Sequence, residues 1–149
     1  MGRYFEIVKN EHRTTGGEIT LPTRSDSRSA GYDFYSPINI TIMPGESKLF
    51  FTDVKVYMNE DEVLKLYVRS SMGKVPVVIA NGTGIIDSSY FGNPDNDGNI
   101  GFRLLNLGED PYVINVGDRI GQGVFSKYLI TDDDNATGDR LGGFGSSGK

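Results

Sequence analysis

The sequence predicts an all-β domain, and three observations support this fold class. Short runs rich in Val, Ile and aromatic residues recur along the chain with turn residues between them, as in a β-sandwich or barrel. Glycine is frequent, with 20 among 149 residues, which favours many turns over long helices. Convincing helical periodicity is lacking in the sequence.

About ten short strands are expected, each an apolar or alternating run. The clearest is the strict alternation of residues 38–42, which stops at the turn pair Pro44-Gly45. The best helix candidate is a turn or two after Ser70-Ser71, where a hydroxyl can cap the first turn. The other strand candidates are residues 5–8, 49–51, 54–57, 63–68, 75–79, 100–105, 112–116 and 124–130.

Residues 1–130 are expected to form the core, because a chain of this length suits a single domain. The acidic run Asp132–Asp134 separates the last strand from a Gly-rich stretch, so residues 131–149 are predicted to form a mobile C-terminal arm. Phe144 lies there among glycines, which are costly to order in a packed core. Such an arm can close as a lid, with N–H groups on anionic oxygens and a ring over a flat heterocycle.

The composition excludes several kinds of chemistry. With no cysteine and one histidine, His12, the chain lacks the residues for disulfides, Cys/His zinc sites and Ser-His-Asp triads. A net charge of −5 argues against binding a nucleic acid polymer, although local arginines can still bind one small anion. Apolar runs of about 18 residues and a signal-peptide pattern are both missing, so we expect a soluble cytoplasmic protein that does not contact membranes.

Two motif matches are misleading. Residues 143–149 match the GxxxxGK start of a phosphate-binding P-loop, but the sequence does not provide the strand before it or the Ser/Thr and helix after it. Residues 93–98 resemble the first half of a calcium loop, yet Leu104 occupies the position that needs a bidentate Glu. Asp97-Gly98 is better interpreted as a β-turn, with a weak surface cation site as the lesser alternative.

Polar residues concentrate in five blocks: residues 30–36, 69–71, 81–92, 117–122, and the tail with Arg140 just upstream. Arg69 and Arg140 supply forked donors that suit phosphate oxygens. Asp33 and Asp87 lie near Gly and small residues, where a ligand or metal can approach closely. Two carboxylates, two arginines and several hydroxyls suit a metal-bound polyphosphate. Aromatic rings in the third block and the tail can contact a base and a sugar.

In this order and spacing, the five blocks resemble the five motifs of the trimeric dUTP diphosphatases (dUTPases). The resemblance covers residue 22 to the C-terminus and rests mainly on AGYDFYS, GIIDSSYFG, GDRIGQ and GGFGSSG. It implies a jelly-roll-like β-barrel of short strands and a homotrimer with shared active sites. It also implies hydrolysis of dUTP to dUMP and pyrophosphate with Mg²⁺.

The resemblance further implies residue roles. Asp87 would orient the attacking water toward the α-phosphorus, Asp33 would hold waters on the metal, and Arg140 would act at the γ-phosphate. Uracil would be bound by the backbone of a hairpin over residues 81–90, Tyr90 would pack on the deoxyribose and exclude a 2′-hydroxyl, and Phe144 would cover the base. The other predicted substrate-binding residues are Arg69, Ser70, Ser71, Asn81, Gly84, Ile86, Gln122, Gly145, Ser146 and Ser147.

Some positions depart from the family pattern. Asp139 holds the place of the usual arginine, and Arg140 follows one residue later. Residues 94–98 look like a small insertion that lengthens the hairpin outside the site. Two other hypotheses stay open. One is a metal-free dCTP deaminase on the same scaffold, which would need a Glu in the third block, where the sequence has Asp87. The other is a nucleotide-sensing protein with a regulatory protein partner.

Overall fold

The computed structural model describes residues 2–138 and residue 140, and this part of the chain is built from strands and turns. Three short 3₁₀ helices are described: Asn10–His12, Ser70–Lys74 and Ser88–Tyr90. The helical turn expected near Ser70-Ser71 is therefore confirmed, but it begins at Ser70 itself, and Arg69 at the N-cap makes no side-chain capping hydrogen bond. The strands within the described residues are β1 Tyr4–Ile7, β2 Tyr32–Tyr35, β3 Ile40–Ile42, β4 Ser47–Phe51, β5 Val54–Tyr57, β6 Glu62–Tyr67, β7 Val77–Ile79, β8 Gly84–Asp87, β9 Gly101–Asn106, β10 Tyr112–Ile114 and β11 Arg119–Lys127.

All of these strands pair antiparallel. A four-stranded sheet has the order β2-β11-β6-β8, and a three-stranded sheet has the order β4-β9-β7. Two further pairs, β1-β5 and β3-β10, complete the arrangement. Strands that follow one another in sequence often belong to different sheets, as in a jelly roll. The prediction of an all-β fold of short strands is confirmed.

The core lies between the four-stranded and the three-stranded sheet. Phe34 of β2 and Phe102 of β9 are almost fully buried, and their ring centroids are 5.4 Å apart with an interplanar angle of 62°. Edge-to-face contacts of this kind add to the free energy gained from burying apolar area. Leu64 and Ile120 on one sheet and Leu104 on the other belong to the same buried cluster. Both sheets are thus held in place by one shared apolar layer.

Strand β11 corrects the prediction for the fourth polar block. The last strand was expected to begin at residue 124, after the block of residues 117–122, but β11 begins at Arg119 and runs through the block. Gly121 explains the difference, because a Cβ at this position would lie 2.4 Å from Cε2 of Phe102. The absent side chain lets the sheets approach, so this glycine is a packing residue inside a strand rather than a sign of a loop. The register also shifts between Arg119 and Gly121.

The predicted hairpin over residues 81–90 is also corrected. β7 pairs with β9 in one sheet, whereas β8 pairs with β6 in the other. The turn at residues 80–83, with Gly82 at φ +78°, therefore carries the chain from one sheet to the other. Ile79 in the strand before this turn and Ile86 in the strand after it are both buried in the core. We call residues 81–90 the crossover segment.

Beyond β11, residues 128–138 form neither strand nor helix and are exposed. The strand expected over residues 124–130 thus ends earlier, at Lys127, and Leu129 is 97% exposed. Among the described residues, no helix has the length and apolar character needed to cross a membrane. The division into a core and a mobile arm stays a prediction.

Candidate active site

The first group of predicted site residues surrounds Asp33 on β2. The Asp33 side chain is only 8% exposed. Its Oδ1 accepts a hydrogen bond from Nε of Arg69 at 3.2 Å, and its Oδ2 accepts one from the Ser25 hydroxyl at 3.2 Å. Nη1 of Arg119 lies 3.8 Å from Oδ2. We call Ser25, Asp33, Arg69, Arg119 and Gln122 the Asp33 cluster. It contains two positively charged side chains and one negatively charged side chain, so its net charge is positive.

Gln122 reaches this cluster through strand pairing. It lies opposite Asp33 in the β2–β11 ladder and opposite Tyr67 in the β11–β6 ladder. Its Nε2 donates to the carbonyl of Val68 at 3.1 Å, just before Arg69. Gly31 makes room for the side chain, because a Cβ there would lie 2.0 Å from Oε1 of Gln122. The glycine of the AGYDFYS block thus leaves room for this orientation of the side chain from the GDRIGQ block.

The 3₁₀ helix Ser70–Lys74 borders the same cluster. Nη1 of Arg69 donates to the Ser71 hydroxyl at 3.2 Å, while Nε of the same guanidinium bonds Asp33. Ser70 and Ser71 are both exposed at the start of this helix. Ser70 and Ser71 thus lie beside Arg69 of the Asp33 cluster and are open to solvent.

The second group of predicted residues lines a cleft of about 340 Å³ between the two sheets. A volume in this range suits a small organic ligand. Most residues of the crossover segment line the cleft, together with residues of β6, β7 and β9 and one residue from beyond β11. Its lining residues are Leu66, Ile79, Asn81, Thr83, Gly84, Ile85, Ile86, Asp87, Tyr90, Gly101, Phe102, Arg103 and Arg140. We call it the Asp87 cleft.

Asp87 ends β8 at the mouth of this cleft, and its side chain is 54% exposed. Nη1 of Arg140 lies 3.2 Å from Oδ2 of Asp87, and the guanidinium carbon is 5.2 Å from the centroid of the Tyr90 ring. Arg140 is itself only 14% exposed. The arginine predicted for the γ-phosphate therefore pairs with Asp87, and its phosphate role stays a prediction.

Tyr90 is 3% exposed but still forms part of the cleft wall. Its hydroxyl donates to the carbonyl of Asn99 at 2.6 Å and accepts from Nδ2 of Asn96 at 2.8 Å. Burial raises the pKa of the Tyr90 phenol above 10.0, although the Asn96 hydrogen bond and the Arg140 charge act in the opposite direction. The phenol is therefore neutral at physiological pH, and its ring presents an apolar surface.

The two groups are far apart within one chain. β2 and β8 are the two edges of the four-stranded sheet, so three strand spacings, about 14 Å, separate them. Pairing places Asp33 level with Tyr67, whereas Asp87 is level with Val63, which adds about 13 Å along the strand. The carboxylates of Asp33 and Asp87 in one chain are thus roughly 20 Å apart.

Other members of these sites were not identified from the sequence. Arg119 approaches Asp33 rather than its neighbour Asp118, whose Oδ2 accepts from the Asn115 N–H at 2.8 Å. Ser25 lies in a plain polar run, and only the bridge between Thr23 and Asp33 brings it close. Sequence spacing contains no signal for either contact. The predicted residues Phe144, Gly145, Ser146 and Ser147 lie outside the described residues.

Asp97, considered above for a surface cation site, is instead buried and paired with a lysine. Its side chain is 4% exposed, and Oδ2 accepts from Nζ of Lys55 at 2.8 Å. Asp97 and Gly98 both have positive φ, +60° and +82°, which confirms the expected turn. Among the described residues, no group of three or more His, Cys, Asp or Glu side chains is arranged to hold a metal ion.

An all-β domain with an arginine-rich carboxylate cluster and a separate nucleoside-sized cleft defines a class of nucleotide-binding enzymes, and comparison with known proteins identifies the family. The family model for dUTPase matches residues 17–148. A deoxyuridine 5'-triphosphate nucleotidohydrolase of Lactococcus lactis is 41% identical over 149 residues, covering 98% of this chain and 97% of that protein. The chain belongs to the dUTPase family.

Solved structures agree with this assignment. A dUTPase from Streptococcus mutans superposes with a TM-score of 0.77 at 35% identity, covering 89% of this chain and 99% of that one. A dUTPase mutant from phage phi11 of Staphylococcus aureus, described with a structural Mg(II) ion, has a TM-score of 0.72 and covers 91% and 97% of the chains. At 21% identity, the phage likeness concerns the fold alone. The predicted family and jelly-roll fold are confirmed.

Proposed function

We propose that this chain hydrolyses dUTP to dUMP and pyrophosphate, in active sites that are shared between copies of the chain in a homotrimer. The activity follows from the family, and the named relatives do not favour the dCTP deaminase. The separation of Asp33 and Asp87 is the single observation that supports sharing. A catalytic carboxylate and a metal-binding carboxylate must both lie within a few ångströms of the reacting phosphate. At roughly 20 Å apart they cannot do so within one chain.

In this proposal, the Asp87 cleft binds the nucleoside. The backbone of the crossover segment at Asn81, Gly84 and Ile86, which line the cleft, offers N–H and C=O groups to the edge of uracil. A fixed backbone pattern rejects cytosine, because its donors and acceptors are exchanged and the mismatched polar groups would be left unpaired. The narrow cleft excludes the methyl group of thymine. The Tyr90 ring packs on the deoxyribose and leaves no room for a 2′-hydroxyl.

Asp87 orients the water that attacks the α-phosphorus. Its side chain is more than half exposed, so solvent can reach the carboxylate. An aspartate carboxylate is a weak base. Positioning of the water therefore contributes more than proton abstraction. Arg140, which pairs with Asp87, is the residue proposed for the γ-phosphate.

The Asp33 cluster of a neighbouring copy binds the phosphate end. Arg69, Ser70, Ser71 and Gln122 present donors beside the excess positive charge. Asp33 fits Mg²⁺ held through water, because this metal keeps several waters and takes few protein ligands when phosphates bind it. Bound magnesium would neutralise charge on the triphosphate. Phe144 would cover the base, and Gly145, Ser146 and Ser147 would contact the phosphates.

One assay separates the proposed activity from the two alternatives. The protein is incubated with dUTP, dCTP or dTTP and Mg²⁺, and pyrophosphate and ammonia are measured. We expect pyrophosphate from dUTP alone, and its loss when a chelator is added. Ammonia from dCTP would instead identify a deaminase. Nucleotide binding without either product would identify a nucleotide sensor, for which a regulatory partner stays an untested prediction.

A complementation experiment tests whether the active sites are shared. Asp33→Asn and Asp87→Asn are each expected to inactivate the enzyme, and the two variants are then coexpressed so that mixed trimers form. A site that takes Asp33 from one copy and Asp87 from another is intact in about one quarter of random combinations. Recovery of up to that fraction of wild-type activity supports sharing. A mixture as inactive as its components would show that each chain forms its own site.

A further inference from the structure

The loop at residues 91–99, which contains the apparent insertion, folds back against Tyr90. Asn96 donates from Nδ2 to the Tyr90 hydroxyl at 2.8 Å, and the same hydroxyl donates to the carbonyl of Asn99 at 2.6 Å. A phenol has one proton to donate and accepts readily, so both kinds of bond are in use. The ring that lines the Asp87 cleft is therefore held at its far end by this loop.

Asn96 is itself held on both sides of its amide. Its Oδ1 accepts from the N–H of Gly98 at 3.0 Å, which leaves Nδ2 directed at Tyr90. Gly98 has φ +82°, and a Cβ there would lie 2.5 Å from the carbonyl oxygen of Tyr90. Only glycine allows this close approach, so the turn and the amide orientation belong together.

The loop is attached to the N-terminal part of the fold through Asp97. Oδ2 of Asp97 accepts from Nζ of Lys55 at 2.8 Å and from the backbone N–H of Lys9 at 2.9 Å. Lys55 also lies 4.8 Å from the centroid of the Phe91 ring. A loop fixed by a buried ion pair at one residue can hold the adjacent residue with little movement.

We propose that Asn96 is a positioning residue that fixes the Tyr90 ring against the sugar and thereby sets the preference for deoxyribose over ribose. This inference rests on the proposed function. Steric exclusion of the 2′-hydroxyl requires that the Tyr90 ring cannot move, because a ring that shifts away from the sugar makes room for the extra oxygen. The Asn96 hydrogen bond is the constraint that resists this shift.

Asn96→Asp is the sharpest test. It keeps the oxygen that accepts from Gly98 but replaces the amide donor to Tyr90 with an acceptor. The single phenol proton then faces two acceptors, the new carboxylate and the Asn99 carbonyl, so one of the two hydrogen bonds is lost. We expect the ratio of kcat/KM for dUTP to that for UTP to fall by about three- to tenfold, the effect of one hydrogen bond. The change should come mainly from a lower KM for UTP, with kcat for dUTP almost unchanged. A purely structural role would instead lower stability or kcat for both nucleotides.

Two further variants complete the design. Asn39→Asp is the matched control, since its Oδ1 also accepts a backbone N–H, that of Val116, on another side of the domain. It should leave the ratio unchanged. Tyr90→Phe removes this bond together with the donation to the Asn99 carbonyl, so the ratio should fall at least as far, and it keeps the test decisive if Asn96→Asp does not fold. Adding Asn96→Asp to Tyr90→Phe should change the ratio no further, because the bond is already absent.

Calorimetric binding of dUMP and UMP gives a readout that does not depend on turnover. A wild-type ratio of affinities that is retained in Asn96→Asp would overturn the role of Asn96 while leaving dUTP hydrolysis intact. Wild-type protein that releases pyrophosphate from UTP as fast as from dUTP would overturn it as well. A wild-type protein with no activity on dUTP would refute the proposed function itself, which is a distinguishable result.

Discussion

Asp33 and Asp87 carry the same functional group in opposite surroundings. Asp33 is 8% exposed and contacts two arginines and a serine hydroxyl, whereas Asp87 is 54% exposed and contacts one arginine. A buried carboxylate must be paired to be stable, and its pairing fixes its position. An exposed carboxylate needs no such support and can exchange partners. The difference suits Asp33 to a fixed electrostatic role and Asp87 to contact with a reacting water.

Asp87→Asn is expected to have the largest effect in this comparison. Because the amide cannot orient or activate the water in the same way, kcat/KM for dUTP should fall by about 10²- to 10⁴-fold. The free energy of unfolding should change by less than about 0.5 kcal/mol, as for other exposed positions. Initial rates of pyrophosphate release and urea unfolding measure the two quantities.

Asp110→Asn serves as the control for this substitution, because it removes an exposed carboxylate outside both groups. It should match wild type in both assays. Wild-type turnover in Asp87→Asn would remove Asp87 from the mechanism, and a large loss of stability would contradict its assignment as a residue without a structural role.

Asp33→Asn should change stability and activity together. Arg69 and Arg119 would lose their shared carboxylate, and the free energy of unfolding should fall by about 1–3 kcal/mol for the hydrogen-bonding groups left unsatisfied. The Mg²⁺ concentration for half-maximal activity should also rise, since Asp33 is proposed to hold the waters of the metal. Urea unfolding and a magnesium titration test both points. Unchanged stability would mean that the cluster does not depend on its carboxylate.

Asp97 is a second buried, paired carboxylate, and it extends the comparison of buried with exposed carboxylates. The effect expected here, on stability as a function of pH, is smaller. Burial by itself raises the pKa of Asp97, but the hydrogen bonds from Lys55 and the Lys9 N–H outweigh it and lower the pKa below 3.8. A lowered folded-state pKa stabilises the fold above the unfolded value and loses that contribution as pH falls through the folded value. The contribution is about 1.4 kcal/mol for each unit by which the pKa is lowered.

The test compares wild type with Asp97→Asn by urea unfolding at neutral pH and at about pH 3. Wild type should be the more stable at neutral pH, and the difference should shrink in acid. The same difference at both pH values would mean that pairing with Lys55 does not shift the pKa of Asp97.

Elements with a strong local signal were predicted correctly. The strands over residues 54–57 and 63–68 and the turn at Asp97-Gly98 were recognised from alternation and turn residues alone. β11 was placed too late, because Gly121 and Gly123 look like loop residues. These two glycines lie in a strand because Phe102 and Leu64, which are distant in sequence, fill the space that their side chains would occupy.

The prediction of a hairpin over the crossover segment was wrong for a related reason. Local sequence signals show that a turn exists, but not which strand each arm will pair with. β8 pairs with β6 because both bury apolar residues on the same face of the four-stranded sheet, such as Ile86 and Leu64. Such choices depend on long-range packing, and pattern analysis within a window cannot detect them.

The sequence by itself determined the all-β class, the family and the identity of the polar residues around each group, because residue type and order carry that information directly. Only the tertiary structure decided that Asp33 meets Arg119, that Asn96 reaches Tyr90, and that Asp33 and Asp87 lie at opposite edges of one sheet. Strand order and register set those distances, and they result from burying the apolar faces of two sheets together.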